Sequence, residues 1–122
     1  MEYKRALGIR IKALAETFPA VVVTGSRQVG KTTLLRSLFP QHRYVSLDLP
    51  SEASRAELEP DLFLAKIAGP LLIDEVQYAP QLFRHIKAAI DADRSLCGRF
   101  ILTGSQKFEL MRGCSATGCV TC

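Results

Sequence analysis

Apolar residues recur at spacings of three and four from Tyr3 to Phe18, where Leu7, Ile11, Leu14, Ala15 and Phe18 alternate with Lys4, Arg5, Lys12 and Glu16. That period predicts an amphipathic helix over 3–18, ended by Pro19. Ala20 to Thr24 is a β-branched run without polar alternation, the pattern of a strand buried on both faces of a parallel sheet. A glycine-bounded loop follows, and Thr32 to Phe39 reads as a helix stopped near Pro40. Arg43 to Asp48 (RYVSLD) alternates and is rich in strand formers, predicting a second strand with Asp48 and Pro50 at its exit. Ser51 to Ile67 is helical in composition and broken at Pro60, where Pro60 and Asp61 suit the start of a second short helix.

Gly69 and Pro70 precede Leu71 to Asp74, a third buried strand. Pro80 opens a helix predicted over 80–93, with Leu82, Phe83, Ile86, Ala89 and Ile90 on one face and Arg84, Lys87, Asp91 and Asp93 on the other. Arg99 to Thr103 is the fourth strand, with Gly104 and Ser105 at its exit. Strands alternating with helices of this length imply right-handed crossovers and a parallel sheet covered on both faces, an α/β architecture.

At 122 residues, with 48% apolar and 23% charged, the chain fits one globular domain that can bury a core without disulfide or metal staples. No apolar stretch approaches the roughly 20 residues of a membrane span. Glu2, Lys4, Arg5, Arg10 and Lys12 leave no apolar core for a signal peptide, so a cytoplasmic location without membrane contact is the expectation. Sixteen Lys and Arg against twelve Asp and Glu give a formal charge of +4, a mild excess that suits a phosphate-bearing partner but contains no basic run pointing to nucleic acid.

The chemistry starts at Gly25-Ser26-Arg27-Gln28-Val29-Gly30-Lys31-Thr32 (GSRQVGKT), which matches the GxxxxGK[ST] pattern at every fixed position. It directly follows a buried strand and opens a helix, the context the pattern requires. Glycines let the chain turn so that successive N–H groups face phosphate oxygens, and the helix N-terminus adds partial positive charge. Lys31 can reach the β and γ phosphates, and the Thr32 hydroxyl can ligate Mg²⁺. The nucleotide-binding set is therefore Gly25, Ser26, Arg27, Gln28, Val29, Gly30, Lys31, Thr32 and Thr33, with Arg27 pointing outward and given no catalytic role.

Leu71-Leu72-Ile73-Asp74-Glu75 is an apolar strand ending in two carboxylates, placed to sit close to the first strand and at the ligand crevice of a parallel sheet. Asp74 would hold the metal through water or Thr32, and Glu75 would orient or deprotonate an attacking water. Thr103, Ser105 and Gln106 follow the fourth strand in the same crevice; Ser105 is either a polar contact to the γ-phosphate or water, or a helix cap. His42 and His85 read as surface residues, Tyr78 as packing the turn after the acidic pair, and Phe100 and Phe108 as core.

GSRQVGKTTLL, YVSLD, LLIDEVQYAPQLFRHIK and GRFILTGSQKFELMRG together resemble the bacterial and archaeal AAA+ ATPases that carry a GxRQVGKTT loop and an IDEVQ acidic motif, from Tyr3 to about Gly113. The resemblance implies a P-loop NTPase three-layer sandwich and Mg²⁺-dependent ATP binding. Gly25 to Thr32 become the Walker A loop, Asp74 and Glu75 the Walker B pair, and Ser105 the polar sensor, so that Lys31, Glu75 and Ser105 are the catalytic candidates and Thr32 and Asp74 the metal ligands. Intact relatives, which continue into a winged-helix-like region and a nuclease-like domain, would hydrolyse ATP. The alternative is a non-catalytic, nucleotide-responsive interaction module acting on a protein or DNA partner; homo-oligomerisation stays open.

After Arg112 the pattern departs, and the chain reads CSATGCVTC. The sheet is accordingly expected to be incomplete after the fourth strand, with 1–113 as the nucleotide-binding core and 114–122 as a divergent Cys-rich tail from a truncated or frame-shifted reading frame. Cys119 and Cys122 have CxxC spacing, but Cys97 and Cys114 complete no regular zinc pattern with them.

Overall fold

Five short strands pair side by side, all parallel, in the computed structural model, which describes residues 2–24, 31–66, 69–92, 97–104 and 117–121. The strands are β1 (Ala20–Thr24), β2 (Arg43–Ser46), β3 (Leu71–Asp74), β4 (Phe100–Gly104) and β5 (Thr117–Thr121), in the spatial order β2-β3-β4-β1-β5. The helices are α1 (Glu2–Thr17), α2 (Lys31–Leu38), α3 (Pro50–Leu58), α4 (Pro60–Lys66) and α5 (Pro80–Ala92).

Successive strand residues point to opposite faces, and both faces are covered, so the central strands need no polar positions. Val21, Val23, Leu72 and Ile101 pack on Ile11 and Ala15 of α1 and Leu35 of α2. On the other face Ala20, Val22, Leu71, Ile73, Phe100 and Leu102 meet Ala56 of α3, Phe63 of α4 and Leu82, Phe83, Ile86 and Ile90 of α5. This is the expected α/β sandwich.

Side chains tie the layers at their ends. Lys12 Nζ donates to the carbonyl of Leu38 at 3.0 Å, satisfying a free acceptor at the end of α2. Glu57 on α3 accepts the backbone N–H of Gln81 at 2.7 Å, capping the first turn of α5. Gly98 joins three segments: its N–H donates to the carbonyl of Phe18 at 2.8 Å, and its carbonyl accepts from His42 Nε2 at 2.7 Å.

The sheet does not stop at its fourth strand. Thr117–Thr121 adds β5 along the free side of β1, in register from Ala20 opposite Thr117 to Thr24 opposite Thr121. The stretch 114–122, expected to be a divergent tail, thus contributes a strand, and β1 becomes an interior strand paired on both sides. The second strand closes at Ser46 rather than Asp48: the Leu47 N–H still donates to the Asp74 carbonyl at 2.9 Å, and the chain then turns. Tyr78 lies on a single 3₁₀ turn, Val76–Tyr78, with its side chain 51% exposed; Val76 and Ala79, rather than Tyr78, pack that turn into the core. Among the described residues no helix is long and apolar enough to cross a membrane.

Candidate functional site

Among the described residues, Asp74 at the carboxyl end of β3 bonds both Thr32 in the first turn of α2 and Thr103 on β4. Residues 25–30 of the glycine loop lie outside the described residues, so the loop is bracketed by Thr24 at the end of β1 and Lys31 at the start of α2. Thr32 and Thr33 follow in that first turn. Ser105 and Gln106 also lie outside the described residues.

Asp74 closes β3. The expectation that this strand lies close to β1 needs one correction, because β4 separates the two. Asp74 nevertheless reaches α2: Thr32 Oγ1 donates to its Oδ2 at 3.2 Å across 42 residues of sequence. Tyr44 on β2 donates its hydroxyl to the same oxygen at 3.1 Å, and Thr103 on β4 donates its hydroxyl to Oδ1. Three hydroxyls from three elements therefore grip both oxygens of one carboxylate. The Tyr44 phenol stays protonated to do so, since burial and then the negative charge of Asp74 push its pKa above the ordinary value of 10.0.

Glu75 is the one non-glycine residue with positive φ among the described residues, at φ 59° and ψ 50°. A left-handed conformation costs a residue with a Cβ about 1–2 kcal/mol, so neighbouring contacts must hold it. Thr103 Oγ1 accepts the Glu75 backbone N–H at 3.0 Å. Glu75 Oε1 accepts from Gln77 Nε2 at 2.8 Å, and the residue is only 8% exposed. Its backbone thus leaves the strand abruptly after Asp74.

Sequence reasoning named Thr32, Asp74, Glu75 and the Thr103 region, and three of those residues, Thr32, Asp74 and Thr103, are joined through one carboxylate. It missed Tyr44 as a partner of Asp74. The alternation of RYVSLD carried the only signal, since it places Tyr44 and Ser46 on one face, 30 residues from the acid. His42 is part-buried against Phe39, with ring centroids 4.9 Å apart, and His85 pairs with Asp61 at 2.9 Å; neither reaches this site.

A hydroxyl and a carboxylate are hard oxygen donors, suited to a cation that keeps waters and shares phosphate oxygens as Mg²⁺ does. No group of three or more His, Cys, Asp or Glu able to hold a metal occurs among the described residues. Cys97 is free and exposed, and Cys114 and Cys122 lie outside the described residues.

Residues 17–121 match the model of a family described as an AAA domain, and the match takes in β5. Two uncharacterized proteins, one from Mycobacterium bovis and one from Mycobacterium tuberculosis, are each 32% identical to this chain over 110 residues. The aligned region is 88% of this chain and 24% of each relative, so the chain spans about a quarter of their length.

Proposed function

The chain belongs to the AAA domain family, and from that premise we propose that it binds ATP together with Mg²⁺ at the carboxyl end of its sheet. Membership supports an AAA-type, P-loop ATPase-like domain and nucleotide binding as such. Backbone N–H groups from Gly25 to Thr33 would surround the phosphates, and Lys31 would bring its charge to the β and γ groups. Thr32 and Asp74 would hold the cation, whose chemistry there would be neutralisation of charge on the phosphate oxygens. Glu75 would orient a water and accept its proton, with Ser105 proposed as a polar contact to the γ-phosphate or that water.

The observation that carries this reading is the Thr32–Asp74 hydrogen bond, which brings the hydroxyl of the GKT segment to the carboxylate of the LLIDE segment. Calorimetric titration of the folded chain with Mg²⁺-ATP tests it. Saturable binding weakened at least tenfold by Lys31→Ala is expected; no binding, or equal binding by the variant, contradicts it.

A second reading is binding without turnover, in a nucleotide-responsive module that acts on a protein or DNA partner. The Gln77 amide favours it, because its 2.8 Å hydrogen bond to Oε1 stabilises the charged Glu75 carboxylate and so weakens it as a base. Steady hydrolysis abolished by Glu75→Gln decides for the enzyme, and binding with no turnover for the module. A salt-sensitive gel shift would mark DNA as the partner.

A further inference from the structure

We infer that Tyr44 and Thr103 are positioning residues that fix the Asp74 carboxylate for a cation shared with nucleotide, an inference that rests on the reading of Thr32 and Asp74 as the metal-holding pair. Neither hydroxyl needs to touch the cation or the nucleotide. Each acts through Asp74.

The geometry supports a clamp rather than a chance contact. A carboxylate at the end of a strand can rotate about its side-chain torsions, and one hydrogen bond would leave its plane loosely defined. Here Thr103 engages Oδ1 from β4, while Tyr44 engages Oδ2 at 3.1 Å from β2, so the two strands flanking β3 hold opposite oxygens. Thr103 is 1% exposed, and its hydroxyl also accepts the Glu75 N–H at 3.0 Å, leaving it little freedom to turn away.

Tyr44 is itself held. The Arg36 guanidinium lies 4.7 Å from the centre of its ring. Arg36 and Thr32 are four residues apart and so share one face of α2. The helix that begins at the glycine loop is therefore connected to Asp74 twice, directly through Thr32 and indirectly through Arg36 and Tyr44. Held from these sides, the carboxylate would meet the cation already oriented.

Hydrogen bonds to a charged group are worth roughly a factor of ten or more in an equilibrium constant. The test is nucleotide affinity measured by calorimetry with Mg²⁺ and again with excess EDTA, for the wild type, Tyr44→Phe, Thr103→Val and Thr103→Ser. The wild type should gain affinity with Mg²⁺. Tyr44→Phe and Thr103→Val should each lose about tenfold of that gain while binding nucleotide in EDTA as the wild type does, and Thr103→Ser should restore it. The inference is overturned if both variants keep the full gain, or if they weaken binding equally in Mg²⁺ and EDTA, which is the mark of a merely structural role. Wild-type binding that is indifferent to Mg²⁺ overturns the reading of Thr32 and Asp74 first, and the clamp with it; Tyr44→Phe also guards against a fold defect specific to the buried Thr103.

Discussion

Thr32 on α2 and Asp74 on β3 share a hydrogen bond of 3.2 Å although the strand that precedes α2 and the strand that carries Asp74 are separated by β4. One hydroxyl proton thus links the glycine-loop segment to the acidic segment. Thr32→Val keeps the shape and removes the donor. Its part-buried position limits the stability loss to about 1 kcal/mol, read by urea denaturation. Affinity for Mg²⁺-ATP should fall at least tenfold, and unchanged affinity would detach this bond from nucleotide binding.

Glu75 carries backbone strain that can be measured apart from its carboxylate. Glu75→Gly and Glu75→Ala both remove the side chain and its bond to Gln77, but only glycine adopts φ 59° without penalty. The Gly variant should be more stable than the Ala variant by about 1 kcal/mol. Equal stabilities would mean that the turn relaxes to another conformation in both.

Gly98 and Gly69 share positive φ, at +69° and +93°, yet differ in surroundings. A Cβ on Gly98 would lie 2.9 Å from the Ala15 carbonyl oxygen inside α1, whereas a Cβ on Gly69 meets nothing within 4 Å. Gly98→Ala should therefore cost more than about 2 kcal/mol, strain and clash together, and Gly69→Ala about 1 kcal/mol from strain alone. Chemical denaturation of the two variants checks the order; equal losses would contradict it.

His42 makes stability depend on pH. Burial holds its pKa below the ordinary 6.5, against the raising effect of its bond to the Gly98 carbonyl, and the charge of Lys12 lowers it further. A carbonyl only accepts, so Nε2 carries the proton in that 2.7 Å bond. Because the folded pKa lies below the unfolded one, the unfolded chain takes up a proton first on acidification. The contribution is complete above pH 6.5 and is lost as pH falls through the folded value. Denaturation midpoints should drop between pH 7.5 and 5.5 in the wild type and drop less in His42→Gln; the same slope in both would rule His42 out as the cause.

The strands most legible in the sequence are those whose burial leaves no choice. Ala20–Thr24 and Leu71–Asp74 are continuous apolar runs with punctuated ends, and the structure keeps both boundaries. The helix of α5 is equally clear, because Leu82, Phe83, Ile86 and Ile90 fall on one face and are all buried. Thr117–Thr121 was not legible: TGCVT has one large aliphatic side chain, and the strand exists through pairing with β1 rather than through a pattern of its own. At the site, Asp74 and Thr32 stood out because their neighbours form recognisable spacings. Tyr44 did not, since a single hydroxyl 30 residues from its acceptor leaves no local trace. The left-handed backbone of Glu75 was equally hidden, because no glycine marks it and the contacts that hold it come from Thr103 and Gln77.

Placing the cation is the most direct test of the central claim, that Thr32 and Asp74 hold the metal of a bound nucleotide. Mn²⁺ can replace Mg²⁺ as a paramagnetic probe, broadening the nuclear resonances of nearby residues. On titrating the labelled protein with Mn²⁺-ATP, amide signals of Lys31, Thr32, Asp74 and Glu75 should broaden first, and those of α4 and of His85 should remain sharp. Broadening that begins at α4 or His85 and spares Thr32 and Asp74 would contradict the claim.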